Sequence, residues 1–216
     1  MLVTSVRVVT ITLCVMLALA TPARAGAPTE SLRGYIDQLF TLLDDPTLKG
    51  TSRTATRQRE LRAVLEDAVD FQEAARRSLG EHWETRTPED RSHFVRLFTD
   101  LIDQVFVGRL SHEGEKIAYD EETLIGQAAT VRAHAVSKGG DITPVAFFLR
   151  QDDDTKWRIY DVGFAGMSLV GMYRAQFAKV IRATSYEGLI IRLEEKTRFN
   201  GQASVKGTDA ATKNAP

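Results

Sequence analysis

Residues 156–177 read Lys-Trp-Arg-Ile-Tyr-Asp-Val-Gly-Phe-Ala-Gly-Met-Ser-Leu-Val-Gly-Met-Tyr-Arg-Ala-Gln-Phe. The stretch starts with the composition of a strand. Trp157, Ile159 and Tyr160 are aromatic or β-branched, and the preceding Asp152-Asp153-Asp154-Thr155 is turn chemistry. It ends with the period of a helix: Leu169, Met172, Tyr173, Gln176, Phe177, Val180 and Ile181 recur at spacings of three and four, with Ser168 as the N-cap. Gly163 and Gly166 let the backbone change direction between the two. An apolar strand joined to an apolar-faced helix by a short corner either closes a core or walls a cavity.

Upstream of this stretch the period is that of strands. Thr143 to Arg150 reads as a strand whose segment Val145 to Leu149 is apolar on both faces, which predicts apolar cover on each side. Gln127 to Ser137 alternates, with Ala129, Val131, Ala133 and Ala135 on one face and Thr130, Arg132 and His134 on the other. Those alanines either leave room for a ligand or let a helix pack closely. Lys138-Gly139-Gly140-Asp141 is a hairpin turn, and Lys116 to Tyr119 is a short strand.

Before the strands the period is helical. Thr29 to Leu43 places Leu32, Ile36, Leu39, Phe40 and Leu43 on one stripe, with Thr29 as cap and Asp44-Asp45-Pro46 as stop. Helices are also predicted over 56–68 and 71–79, the latter closed by Gly80 as a left-handed cap. Thr87-Pro88-Glu89-Asp90 is a capping-box start for a helix reaching about Leu110, with Phe94, Leu97, Phe98, Leu101, Ile102, Val105 and Phe106 on its apolar face. A last helix covers 186–197. Helices, an antiparallel meander and two closing helices predict an α+β domain.

The ends carry other signals. Arg7, the apolar run from Val8 to Ala20, and Ala23-Arg24-Ala25 predict a cleavable export signal over 1–25. Residues 200–216 are small and polar and read as a disordered tail, which leaves a domain over 26–199. The single cysteine, Cys14, falls inside the leader, so no disulfide, thiolate nucleophile or cysteine metal site is expected in the exported chain. Removing the leader takes two of the 28 basic residues and none of the 29 acidic ones, leaving a net charge of −3. That balance gives no general attraction to nucleic acid or anionic lipid surfaces, and the whole points to a bacterial periplasm.

Catalytic readings do not assemble. His82, His93, His112 and His134 make no ligand spacing. Gly166-Met167-Ser168 matches the first half of a nucleophile elbow, but Val170 stands where the second glycine belongs, and Ser168 reads better as a helix cap. Asp152-Asp153-Asp154 lacks the glycine and distal glutamate of a calcium loop. Arg57, Arg59, Arg62 and the pair Arg76-Arg77 read as solvent faces of helices, with a lipid headgroup or a protein partner as the alternative. Neither enzyme activity, cofactor nor metal is expected.

The segment Trp157-x-x-Tyr160-Asp161-Val162, followed by Gly166-Met-Ser168-Leu169-Val170 and Tyr173-Arg174-x-Gln176-Phe177, resembles the MlaC, or toluene-tolerance, family of periplasmic phospholipid-binding proteins. Asp70-Phe71, Ala75-Arg76-Arg77-x-Leu79-Gly80, Trp83, Thr87-Pro88-Glu89 and the stretch 184–190 fit in the same order, so the resemblance spans about Ser31 to Lys196. Hopanoid-associated members are similar too. The resemblance implies a curved antiparallel sheet of about four strands, wrapped by N-terminal helices and two C-terminal helices around an apolar cavity for acyl chains. It also implies a soluble carrier between an outer-membrane lipoprotein complex and an inner-membrane ABC transporter with an MCE protein, without catalysis.

Two chains of about sixteen carbons cost on the order of 25 kcal/mol to expose to water, at about 0.8 kcal/mol per methylene. A carrier therefore encloses the tails and can leave the headgroup in solvent. The residues expected to line such a cavity are Val131, Phe147, Phe148, Leu149, Ile159, Tyr160, Val162, Leu169, Tyr173 and Phe177. Both adjoining strands are included because register is open. If Asp152 to Thr155 is the whole loop, Phe148 faces Ile159 and Phe147 faces Tyr160; one residue more swaps the faces. The rival readings are another lipid such as a hopanoid on the same fold, or a periplasmic adaptor with a solid core.

Overall fold

The computed structural model describes residues 27–48, 54–106 and 114–198. The expected leader, the tail and the end of the helix predicted to reach Leu110 lie outside those residues, as do the side chains of Val105 and Phe106. Helices α1 (Ala27–Asp44), α2 (Thr54–Ala68), α3 (Phe71–Leu79) and α4 (Pro88–Phe106) come first. A meander of β1 (Lys116–Ile125), β2 (Ala128–Val136), β3 (Ile142–Gln151), β4 (Trp157–Phe164) and β5 (Met167–Ser168) follows, then α5 (Leu169–Ala183) and α6 (186–198). The sheet is antiparallel throughout, in the order β1-β2-β3-β4-β5, curved and not closed into a barrel. The fold is α+β.

Register decides which residues share a face. The β3–β4 connection takes in Lys156 as well as Asp152 to Thr155, so Gln151 pairs with Trp157 and Leu149 with Ile159. Thr155 makes the turn at φ 63, and the Lys156 N–H donates to Asp152 Oδ1 at 2.8 Å. This is the longer of the two loops that the sequence allows. A bulge then shifts the pairing: Phe148 lies opposite Asp161 and Phe147 opposite Val162, leaving Tyr160 as the extra residue. Ile159 and Val162 thereby reach the same face although they are three apart.

Three expectations are corrected. The first strand continues to Ile125, with a register shift between Tyr119 and Glu121. Glu121 and Glu122 are poor strand formers, but an edge strand tolerates charge, and Glu122 is used: it accepts hydrogen bonds from the Thr29 N–H and hydroxyl. Consequently Thr29 does not cap its own helix. It sits buried in the first turn of α1, and the carboxylate from β1 serves its unpaired N–H. Gly80 ends α3 at φ 61 but ψ −132, outside the left-handed helical region, with its N–H donating to the Arg76 carbonyl. A Cβ there would lie 2.7 Å from Arg174 Nε, so a larger residue would displace that guanidinium in addition to straining the backbone. The two predicted serine and threonine caps stand: Ser168 Oγ accepts from the Gly171 N–H at 2.8 Å, and Thr87 Oγ1 from the Asp90 N–H at 3.1 Å.

The buried apolar residues form three clusters. One joins α3 to α6, with Phe94, Phe98, Tyr173 and Phe177 at its centre. Rings there pack edge to face, Phe98 against Tyr173 at 5.7 Å and Phe94 against Phe177 at 5.7 Å. A second lies between α1 and the sheet. Here Leu32 covers Ala129, Val131 and Ala133, so the small residues of β2 admit a helix and do not leave room for a ligand. The third is a small contact of α1 with α2 through Leu43 and Leu61. On the other sheet face Ala146 and Phe148 stay half-buried, with the Tyr160 ring 6.3 Å from that of Phe148.

Candidate functional site

The three clusters do not fuse. Where they would meet lies a cavity of about 200 Å³ that presents only apolar surface, although Asp161 is among the residues that border it. A domain of this size ordinarily has one contiguous core with small satellites, so a gap bordered by all three is a departure to be explained. Ile36 and Leu39 of α1, and Leu65 of α2, form one side. Phe71 and Ala74 of α3, with Phe98 and Ile102 of α4, form the second. The third is Phe147 of β3, Ile159, Tyr160, Val162 and Phe164 of β4, and Leu169 and Val170 at the start of α5.

Five of the ten expected residues are thus in the wall: Phe147, Ile159, Tyr160, Val162 and Leu169. Val131 and Leu149 are fully buried under α1 in the sheet cluster. Tyr173 and Phe177 belong to the aromatic cluster among the helices, one and two turns beyond Leu169. Phe148 points to the opposite sheet face, beside Arg132, Ala146 and Gly163. The walls contributed by α1 to α4 were not distinguished in advance. Their residues carry the same helical stripe whether they meet another side chain or a void, and no local signal separates those cases.

The polar groups near the cavity are turned away from it or paired. Asp161 accepts hydrogen bonds from the Val162 N–H at 2.8 Å, the Val170 N–H at 2.9 Å and the Ser168 hydroxyl. One carboxylate therefore ties the end of β4 to the first turn of α5. Between them Ala165 (φ 48) and Gly166 (φ 82) make the tight turn into β5. Elsewhere Val69 bridges to Ile159 and the Asp70 N–H donates to the Ile159 carbonyl at 2.8 Å, closing the free side of β4 next to the bulge. Arg62 fastens α2 to α4 through Asp100 and Asp103. Burial lifts the Asp103 carboxyl above its ordinary value, even beside Arg62.

Burial also pushes the Tyr173 phenol up, in keeping with its place among rings. Among the described residues, no group of three or more His, Cys, Asp and Glu converges as a metal site would require. Nor is any described helix long and apolar enough to cross a membrane. His134 lies 3.0 Å from Asp120 and His93 3.4 Å from Glu194, each a single pair.

Two acidic side chains are held nearly out of water close to the cavity, Asp70 at 8% exposure, paired with Arg150, and Glu73 at 11%. Burial raises the pKa of Glu73, but hydrogen bonds and charge from Arg76 and Arg77 outweigh this and hold it below the ordinary 4.5. The unfolded chain therefore takes up this proton more readily than the folded one. The stabilisation is complete above pH 4.5 and is lost as pH falls through the lowered value. Glu73→Gln should lower stability at neutral pH and flatten the decline as pH falls below 4.5. Denaturant midpoints of both proteins across that range would read it; parallel declines would exclude Glu73 as a contributor.

The family described as MlaC protein matches residues 33–195. Over 133 residues the chain is 21% identical to the intermembrane phospholipid transport system binding protein MlaC of Haemophilus influenzae. That match takes in 59% of this chain and 62% of the relative, less than two thirds of the relative's length. The fold is similar to that of the phospholipid-binding protein from Ralstonia solanacearum, solved in complex with a phospholipid, with a TM-score of 0.71 at 20% identity. The likeness covers 82% of this chain and 99% of that one.

Proposed function

The chain belongs to the MlaC protein family, and from that premise we propose that it is a periplasmic phospholipid carrier in intermembrane transport. It buries acyl chains in the cavity between α1–α4, β3–β4 and the start of α5, and leaves the headgroup outside. The observation that carries this reading is the wholly apolar gap at the junction of three separate core clusters. An adaptor with a solid core has no physical use for it, because an unfilled apolar space forfeits dispersion contacts and destabilises the fold. The donors and acceptors of the cargo are an outer-membrane lipoprotein complex and an inner-membrane MCE–ABC transporter complex, with no catalytic step by this chain.

The cavity at about 200 Å³ is smaller than the ~300–1,000 Å³ that pockets for sizeable ligands occupy. Taking up two acyl chains therefore entails widening. The corner from Gly163 to Gly171 is the element that moves: Leu169 and Val170 are wall residues, and the Asp161 network and a two-residue strand tie the start of α5 to β4. Gly163 and Ser168 are cross-strand partners, so cysteines at both positions would lock the corner. The oxidised double variant should exchange bound lipid with vesicles at least about tenfold more slowly than its reduced form. Equal rates in the two redox states would remove the corner from the mechanism.

The direct test of the function is extraction of the purified chain for mass spectrometry. Phospholipid at near-stoichiometric yield supports the carrier; a hopanoid would redefine the cargo on the same cavity; no lipid at all would favour the adaptor.

A further inference from the structure

Arg76 and Arg77 are adjacent like charges in the last turn of α3, and both are drawn to one carboxylate. Glu73 Oε2 accepts from Arg76 Nε at 2.7 Å, and Glu73 Oε1 accepts from Arg76 Nη2 at 2.8 Å and from Arg77 Nε at 2.6 Å. Arg76 thus spends two of its donors on Glu73. Arg77 spends only its Nε edge, and among the described residues its Nη1 and Nη2 groups have no hydrogen-bond partner. Its guanidinium is also fixed in plane, lying 4.0 Å over the centroid of the Tyr160 ring. Tyr160 is the bulged residue of β4 and a wall residue of the cavity. A solvent-reaching N–H fork therefore lies over the ring of a residue that borders the cavity, a ring that also meets that of Phe148.

Glu73 stabilises the fold through its arginines, yet Arg76 alone already meets both of its carboxylate oxygens, so the addition of Arg77 is not needed to satisfy it. What the arrangement does is hold a bidentate donor at constant position. A planar guanidinium fork matches two oxygens of a phosphate, and the pair of arginines leaves a net positive charge after Glu73 is counted.

We infer that Arg77, positioned by Glu73 and Tyr160 and flanked by Arg76, receives the phosphate diester of a bound phospholipid whose acyl chains occupy the cavity. The inference rests on the carrier reading and adds a selectivity to it: a phosphate-bearing lipid is retained over a neutral lipid with the same tails.

The test compares the full chain with Arg77→Gln and Arg77→Lys, using dioctanoyl phosphatidylglycerol, dioctanoylglycerol and inorganic phosphate as probes. The chain should hold the phospholipid more tightly than the diacylglycerol, and Arg77→Gln should weaken the phospholipid about tenfold or more while leaving the diacylglycerol unchanged. Arg77→Lys, which keeps the charge and loses the fork, should fall between and serves if the glutamine variant does not fold. Inorganic phosphate should show no binding that depends on Arg77; tight phosphate binding lost in Arg77→Gln would assign the fork to a free anion and overturn the inference. Equal retention of phospholipid by all three proteins would overturn it too, yet leave the carrier standing. Failure of the unmodified chain to bind either lipid would instead remove the carrier reading itself.

Discussion

Phe147→Asp is expected to abolish copurified lipid, while Phe148→Asp, one residue along the same strand, is expected to retain it. Phe147 is in the cavity wall and 6% exposed, opposite Val162; Phe148 points to the other face. Replacing the first removes a buried ring and puts an unpaired carboxylate in apolar surroundings. The cost is about 4 kcal/mol or more, combining large-to-small truncation with desolvation of charge. Acyl chains would meet that same carboxylate. Replacing the second places a charge at a half-buried position beside Arg132 but opposite Asp161, which should cost stability without touching the cavity lining. Lipid-to-protein ratios from extraction, with melting curves of each variant, read both effects. If Phe147→Asp leaves too little folded protein, Leu169→Asp probes the same wall at a half-buried position. Normal lipid content in folded Phe147→Asp or Leu169→Asp protein would refute the assignment of this cavity to the tails.

The largest loss of stability without loss of lipid should come from Phe98→Ala. Phe98 is 1% exposed, stacks on Phe94 at 6.2 Å and meets the edges of Tyr173 and Phe177 at 5.7 and 6.2 Å. It is also one of the residues, with Ala74 and Val170, at which the aromatic cluster and the cavity share a wall. Truncation should therefore cost roughly 3–5 kcal/mol in denaturant unfolding. The space released is continuous with the cavity, so acyl chains can fill part of it, and lipid content should hold. A cost under about 1 kcal/mol would show that the helices collapse onto the site, and that Phe98 does not keep the cavity open.

These two substitutions separate wall from core, which is where the sequence is least legible. The strand–corner–helix stretch 156–177 was readable: the alternation, the Ser168 cap and the helical stripe are local, and each appears where its chemistry predicts. Helix α3 matches its expected span of 71–79 for the same reason, an Asp70 cap and a closing glycine. The longer first strand was missed because Glu121 and Glu122 are poor strand formers, and pairing with β2 supplies what propensity does not. The short β5 was hidden inside what reads as a loop, because only the turn at Ala165 and Gly166 brings Met167 and Ser168 back to β4.

Among the site residues the division is similar. Phe147, Ile159, Tyr160, Val162 and Leu169 border the cavity, whereas Val131, Leu149, Tyr173 and Phe177 are packed in the clusters beside it. All nine are apolar residues on inward faces, and burial alone does not tell a void from a neighbour. The alternation of β3 allowed either face to be inward. A loop that includes Lys156 and a bulge at Tyr160 chose between them, and the bulge lies next to the point where Val69 and Asp70 of the helical layer bond to Ile159.

The α+β order and the resemblance to lipid-binding proteins can be read from the residues alone, because periodicity, caps and residue chemistry are properties of neighbours along the chain. Only the tertiary structure decided that three clusters stop short of one another and which side chains face the gap. A cavity is a relation among helices α1 to α4, strands β3 and β4 and the corner into α5, and no residue carries it alone. The same stretch 156–177 that announces a corner in the sequence becomes a cavity wall only through the packing of the elements around it.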